Sequence, residues 1–126
     1  MSQVEQEITL ETRGHTAIIT LNVPKKLNAL NADHYYRLAK LMKEAAAMDN
    51  TYITVLTAKG RFFSADQNNR GADVSISKAP PKDVDVQRYY LHSFVAQNLN
   101  ITHAFYTHPK ILIVALNGPA VGLSAA

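Results

Sequence analysis

Three stretches of this sequence combine residue types and spacings that can do chemistry. The first is Asn117-Gly118-Pro119-Ala120-Val121-Gly122, which follows the apolar run Ile111-Leu112-Ile113-Val114-Ala115-Leu116 and leads into small residues. A strand that passes through a Gly-containing turn into a helix start presents unpaired backbone N–H groups, which suit an anionic group. The second is Gly71-Ala72-Asp73, inside an irregular stretch, where a glycine lets the backbone come close to a ligand. The third is Lys25-Lys26, directly after Pro24 and the one compact basic pair in a loop setting. Taken singly, each is equally an ordinary turn or a solvated basic corner.

Other chemistries are excluded or lack support. The chain of 126 residues has no cysteine, which removes disulfides, thiol nucleophiles and thiolate metal sites. Its histidines, His15, His34, His92, His103 and His108, show no metal-ligand spacing; His103 and His108 fall on different faces of a helix near its end. Asp66 and Glu44 stand in no motif. A formal charge of +3 comes from Lys and Arg dispersed among ten acids, so no broad nucleic-acid surface is expected. The pairs Tyr35-Tyr36 and Tyr89-Tyr90 are expected to pack core and subunit surfaces rather than stack on bases. No apolar run approaches the roughly 20 residues of a membrane span, and the polar, acidic N-terminus does not fit a secretory signal. A hydrophobic content of 47% fits one globular domain.

The elements that position these stretches follow from periodicity. Ile8-Thr9-Leu10-Glu11 and Ala17-Ile18-Ile19-Thr20-Leu21 predict a hairpin turning at Gly14. Asn31 stands as an N-cap, and Leu38, Leu41, Met42 and Ala45 recur at helical spacing up to Met48. Thr51 to Thr57 predicts a buried strand, ended by Lys59-Gly60, and Lys110 to Leu116 a second one. Between them, Arg61 to Lys82 predicts a long irregular loop, then a helix from about Asp83 to about Thr107 with Val86, Tyr90 and Phe94, and also Leu91 and Val95, toward the core. Val121 to Ala126 has the look of a beginning helix that lacks its packing partner, so the chain is expected to be a truncated piece of one domain.

In their order and spacing, Pro24-Lys25-Lys26-Leu27-Asn28-Ala29-Leu30, Gly60-Arg61-Phe62-Phe63-Ser64 with Gly71-Ala72-Asp73, and Asn117 to Gly122 resemble the crotonase (enoyl-CoA hydratase/isomerase) superfamily. The stretch from Phe94 to Ala126 is most similar to its fungal peroxisomal 3,2-enoyl-CoA isomerases. The resemblance implies an α/β crotonase-type ββα spiral, here cut before its later turns and C-terminal helices, with residues 1–126 as the N-terminal part of a single domain. It also implies an acyl-CoA substrate in β-oxidation of unsaturated fatty acids, no metal or redox cofactor, a peroxisomal location, and a trimeric or hexameric parent.

For the site, the resemblance implies an oxyanion hole of two backbone N–H donors that stabilise charge developing on a thioester oxygen. Matched onto this sequence, the donors are the amides of Ala72 and Leu123. Lys25, Lys26, Leu27 and Ala29 match the segment lining the nucleotide end of coenzyme A, and Gly71, Asp73, Val74 and Gly122 flank the donors. Two departures stand out. Asp66-Gln67-Asn68-Asn69-Arg70 interrupts what would otherwise be a continuous motif, and the Ala65-Asp66 pair it creates leaves Ala65 as an alternative first donor. Ala126 occupies the position where family hydratases carry their first glutamate, which favours isomerase over hydratase chemistry. In the isomerase subgroup the carboxylate lies about thirty residues beyond the second donor, so residues 1–126 alone are expected to be inactive or nearly so.

Overall fold

The computed structural model describes residues 2–65, 82–91 and 95–121. Along the chain the elements are α1 (Gln3–Glu7), β1 (Ile8–Arg13), β2 (Thr16–Leu21), α2 (Ala32–Ala47), β3 (Ile53–Ala58), α3 (Val86–Tyr90), α4 (Ala96–Tyr106) and β4 (Ile111–Val114), with a 3-10 turn at Pro24–Lys26. They form a mixed α/β unit around a four-stranded sheet in the order β1-β2-β3-β4.

The hairpin forms as its sequence predicts. β1 and β2 pair antiparallel from Ile8↔Leu21 to Arg13↔Thr16, and Gly14 takes the left-handed φ of 59° that the turn needs. From β2 the chain crosses through α2 and returns as β3, parallel to β2; β4 then adds parallel to β3. Alternation sets the faces: Ala17, Ile19 and Leu21 of β2 are buried, as are their register partners Thr54, Leu56 and Ala58 of β3. Against this face lie Leu38, Leu41, Met42 and Ala45 of α2, with Ile101 and Ala104 of α4. Each large apolar side chain buried there contributes roughly 2 kcal/mol.

Helix α2 is closed at both ends by side chains. At its start, the Asn31 side chain accepts from the His34 amide at 3.0 Å, and the Asn31 amide donates to His34 Nδ1 at 3.1 Å. That leaves His34 Nε2 to donate to Glu7 Oε2 at 2.6 Å, which ties α1 to α2. At its end, Lys110 Nζ donates to the carbonyl oxygens of Ala45, at 2.7 Å, and Met48, and to Thr51 Oγ1 at 2.8 Å, satisfying acceptors that the last turn leaves open.

Three expectations are corrected. Lys110 to Leu116 is not a buried strand: β4 is the edge of the described sheet, and Ile111, Ile113, Val114 and Leu116 are exposed. An unbroken apolar run marks a strand that can be covered on both faces; here Leu112 packs against the core while Ile111 and Ile113, on the other face, stay exposed. The helix expected from Asp83 starts at Val86 behind an Asp85 cap, and Val86 and Leu91 face solvent. Ile101, Ala104 and Phe105, at helical spacing on α4, provide the core contact instead. Residues 92–94, including Phe94, lie outside the described residues, as does the helix start expected beyond Val121. The polar N-terminus, for which no element was expected, forms α1 through a Ser2–Glu5 capping box.

Candidate active site

The loop between β2 and α2 carries the basic pair. In the 3-10 turn the Lys26 amide donates to the Val23 carbonyl and the Leu27 amide to the Pro24 carbonyl, both at 3.0 Å. Pro24 favours this start by fixing its own φ. Lys25 and Lys26 are exposed, Leu27 is half-buried and Ala29 is buried. Leu27 and Asn28 both adopt left-handed backbone, with φ of 52° and 54°. Asn tolerates this conformation; Leu does not, and costs about 1 kcal/mol there.

Asn28 meets that strain with a full set of bonds. Its side chain is wholly buried; Oδ1 accepts from the Val23 amide at 2.7 Å, and Nδ2 donates to the carbonyls of Lys59 and Phe62, both at 2.8 Å. The segment Phe62–Ala65 is thereby attached to the basic loop. Two further bonds extend the attachment: Ser64 Oγ donates to the Asn28 carbonyl at 2.7 Å, and the Ala65 amide donates to the Leu27 carbonyl at 2.9 Å.

On its other side, Phe62–Ala65 meets the turn after β4. The Phe63 amide donates to the Pro119 carbonyl at 3.0 Å, the Val121 amide donates to the Ser64 carbonyl at 2.9 Å, and Ser64 pairs with Ala120 as a parallel bridge. Asn117 Nδ2 donates to the carbonyls of Gly60 at 2.8 Å and Phe62 at 3.2 Å. Gly118 crosses this contact so closely that a Cβ would lie 2.9 Å from the Arg61 carbonyl carbon and 3.3 Å from the Phe62 Cα, and would collide with the Arg61 oxygen. The glycine is needed for close approach of two backbones, beyond the tight-turn geometry that its sequence alone suggests.

Among the described residues three segments thus meet, with Phe62–Ala65 running between Leu27–Asn28 and Asn117–Val121. Of the site residues expected from sequence, Lys25, Lys26, Leu27 and Ala29 sit on the first of these segments. Gly71, Ala72, Asp73, Val74, Gly122 and Leu123, and the interruption at 66–70, lie outside the described residues. Ala65, the alternative first donor, has its amide engaged by Leu27. Not given a site role from sequence were Asn28, Ser64 and Asn117, whose distant partners lie 31 to 57 residues away along the chain. The available signal was an Asn between Leu27 and Ala29, a residue type that accepts left-handed backbone where its neighbours do not.

Beside the convergence is an apolar cavity of about 930 Å³, bordered by Leu30, Leu38, Phe63, Phe105, Pro119 and Ala120 among others. Among the described residues no three acidic, His or Cys side chains are grouped as metal ligands, and no helix is long and apolar enough to cross a membrane.

The architecture and the meeting of these segments define a crotonase-type fold. A structure described as an enoyl-CoA hydratase/isomerase from Mycobacterium paratuberculosis superposes with a TM-score of 0.72 at 29% identity, covering 98% of this chain and 46% of that one. The model of the family described as enoyl-CoA hydratase/isomerase matches residues 16–125, and the chain belongs to that family. It is 55% identical, over 94% of its length, to a Pyricularia oryzae protein named Delta(3,5)-Delta(2,4)-dienoyl-CoA isomerase. It is 38% identical, over 96% of its length, to the Saccharomyces cerevisiae 3,2-trans-enoyl-CoA isomerase. The chain spans 43% of the length of each of these two relatives.

Proposed function

We propose that these residues are the thioester-holding part of an enoyl-CoA isomerase, with the amides of Ala72 and Leu123 as the two donors to the thioester oxygen. The observation that carries the proposal is the pairing of Phe63 with Pro119 and of Val121 with Ser64. It sets side by side the two segments that precede the donors in sequence. Gly71, Asp73, Val74 and Gly122 flank the thioester. Lys25, Lys26, Leu27 and Ala29 receive the nucleotide end of coenzyme A, the two ammonium groups screening its phosphates.

The chemistry follows from the oxygen site. A carboxylate removes a proton from the carbon next to the thioester, and the electron pair moves onto the carbonyl oxygen, where the two amides stabilise it. Returning the proton to the γ-carbon of a 3-enoyl thioester gives the trans-2-enoyl isomer. Returning it one vinyl unit further along a 3,5-dienoyl thioester gives the 2,4-diene. No atom is gained or lost and no redox step occurs, so neither a metal nor a redox cofactor is called for. In this proposal the carboxylate comes from the region that the relatives have beyond the matched part, and residues 1–126 alone do not turn over. Ala126 in place of the hydratase glutamate argues against hydration.

The 3-enoyl substrate is the one implied by the sequence motifs. The relative that is 55% identical and named for the dienoyl reaction, against 38% for the 3,2-isomerase, favours the dienoyl substrate. Supplying a 3-enoyl-CoA and a 3,5-dienoyl-CoA to the protein extended to its relatives' length separates the two by product. A folded protein that converts neither, or that hydrates a 2-enoyl-CoA instead, rules out the isomerase proposal. A role in β-oxidation, peroxisomal import and a trimeric or hexameric assembly belong to the same proposal; imaging of the tagged protein and sedimentation test the last two.

A further inference from the structure

Two exposed cations that the site as assigned does not use, Lys59 and Arg61, flank Gly60 in the turn after β3. Hydrogen bonds and close packing fasten this turn to the basic loop. Asn28 Nδ2 donates to the carbonyls of Lys59 and Phe62, both at 2.8 Å. Within the loop, Asn28 Oδ1 accepts from the Val23 amide at 2.7 Å, and the Asn28 and Lys26 amides donate to the Val23 carbonyl at 2.9 and 3.0 Å. Gly60, at a φ of 101°, lies against Pro24, where a Cβ would stand 3.0 Å from Pro24 Cβ. Lys25 follows Pro24 directly, so Lys25, Lys26, Lys59 and Arg61 are carried by two backbones in contact. Among the described residues the ion pairs are Arg13 with Glu11 and His34 with Glu7, and neither includes any of these four cations. The charge of Lys26 does act on Glu7, without a direct pair.

We infer that Lys59 and Arg61 complete, with Lys25 and Lys26, a two-sided cationic clasp for the phosphates of coenzyme A. They thereby select coenzyme A thioesters over thioesters of carriers without phosphate. Like charges gathered on adjoining loops repel one another, and a polyanion between them removes that repulsion. Here the loops are held together by Asn28 and by the Pro24–Gly60 contact, not by acids among the described residues that would compete with a ligand. The backbones are therefore set in advance, and binding has only long, exposed side chains to order. Arms of this length, rooted in touching backbones, can close on one polyanion from two sides. The Arg61 guanidinium adds a planar fork that can give two parallel N–H bonds to phosphate oxygens. The inference rests on the assignment of Lys25 and Lys26 to the nucleotide end of coenzyme A proposed above.

Both side chains are exposed, so Lys59→Gln and Arg61→Gln remove charge without opening the core. The 126-residue chain and its variants are titrated by calorimetry with cinnamoyl-CoA and with cinnamoyl-pantetheine, which has the same thioester and no phosphate. The unsubstituted chain should prefer cinnamoyl-CoA. Each substitution should weaken cinnamoyl-CoA binding about two- to fivefold at low salt, and both together about tenfold. The loss should shrink at about 0.5 M salt, and cinnamoyl-pantetheine affinity should stay the same throughout. If the double variant keeps the full preference for cinnamoyl-CoA, Lys59 and Arg61 are overturned as phosphate ligands and the Lys25–Lys26 assignment stands. Equal losses for both thioesters also overturn the clasp, because the substitutions then act on the fold or on the rest of the ligand. An unsubstituted chain that binds neither thioester, or both equally, removes the Lys25–Lys26 assignment and the clasp with it.

Discussion

Gly118 and Arg61 belong to different turns, yet their backbones meet so closely that no side chain fits between them: a Cβ on Gly118 would lie 2.9 Å from the Arg61 carbonyl carbon. This contact seats the turn after β4 against the loop after β3, on the same stretch where Phe63 and Val121 make their bridging bonds. Gly118→Ala forces the two loops apart. It should cost about 3 kcal/mol in urea unfolding, at the upper end of what overpacking does. An alanine variant as stable as the parent would show that the loops do not meet in this way.

Asn28 carries the second prediction. Asn28→Asp replaces the amide nitrogen and its two N–H donors with one acceptor oxygen facing the Lys59 and Phe62 carbonyls, in a position without solvent. Burying an unpaired or charged oxygen there should cost about 3 kcal/mol. Asn28→Gly, which suits the φ of 54° but has no side chain, should also destabilise, showing that the hydrogen bonds outweigh backbone relief. Thermal unfolding of the two variants checks this; a glycine variant of equal stability contradicts it.

The Glu7 carboxyl is held below the usual carboxylate range, first by the hydrogen bond from His34, with Gln3 and the charges of His34 and Lys26 adding to it against a desolvation effect that opposes them. A carboxylate lowered in the folded state binds its proton more readily when unfolded. Its contribution is therefore present above the unfolded value and lost as pH falls through the lowered one. Glu7→Gln should remove this acid-side dependence and cost about 1 kcal/mol at neutral pH. Denaturant midpoints of the parent and Glu7→Gln between pH 7 and about 3 make the comparison, and parallel pH curves would exclude the Glu7–His34 tie.

Where α4 meets β4, His108 Nε2 lies 2.8 Å from Thr54 Oγ1 while its Nδ1 is buried without a partner among the described residues. Burial, and secondarily the charge of Lys110, lower its pKa below 6.5. For a base lowered in the folded state, the unfolded chain takes up protons first, so stability falls as pH drops below the unfolded value toward the folded one. His108→Gln should flatten stability between about pH 6.5 and pH 5, and an unaltered slope there would exclude His108 as its source.

The sequence disclosed what depends on near neighbours. The Gly14 hairpin, the Asn31 cap and the Leu38-Leu41-Met42-Ala45 face of α2 follow from short-range periodicity, and the structure reproduces them. What it hid depends on distant partners. The exposure of Ile111 and Ile113 reflects an edge position, which an apolar run does not reveal. Asn28 and Asn117 look like ordinary turn residues until the carbonyls of Gly60 and Phe62 arrive from elsewhere in the chain. The motif stretches were legible as a set, and Lys25 to Ala29 could be followed into the structure. The Ala65 amide, an alternative donor from sequence, is bonded to the Leu27 carbonyl, a partner that no local pattern reveals.

The most direct test of the central claim, that converging backbone segments hold a thioester oxygen, is the infrared band of a ¹³C-labelled thioester carbonyl in cinnamoyl-CoA bound to this chain. Two aligned amide donors predict a band displaced to lower frequency relative to the free thioester. A bound ligand whose carbonyl band stays at the position it has in water contradicts the claim.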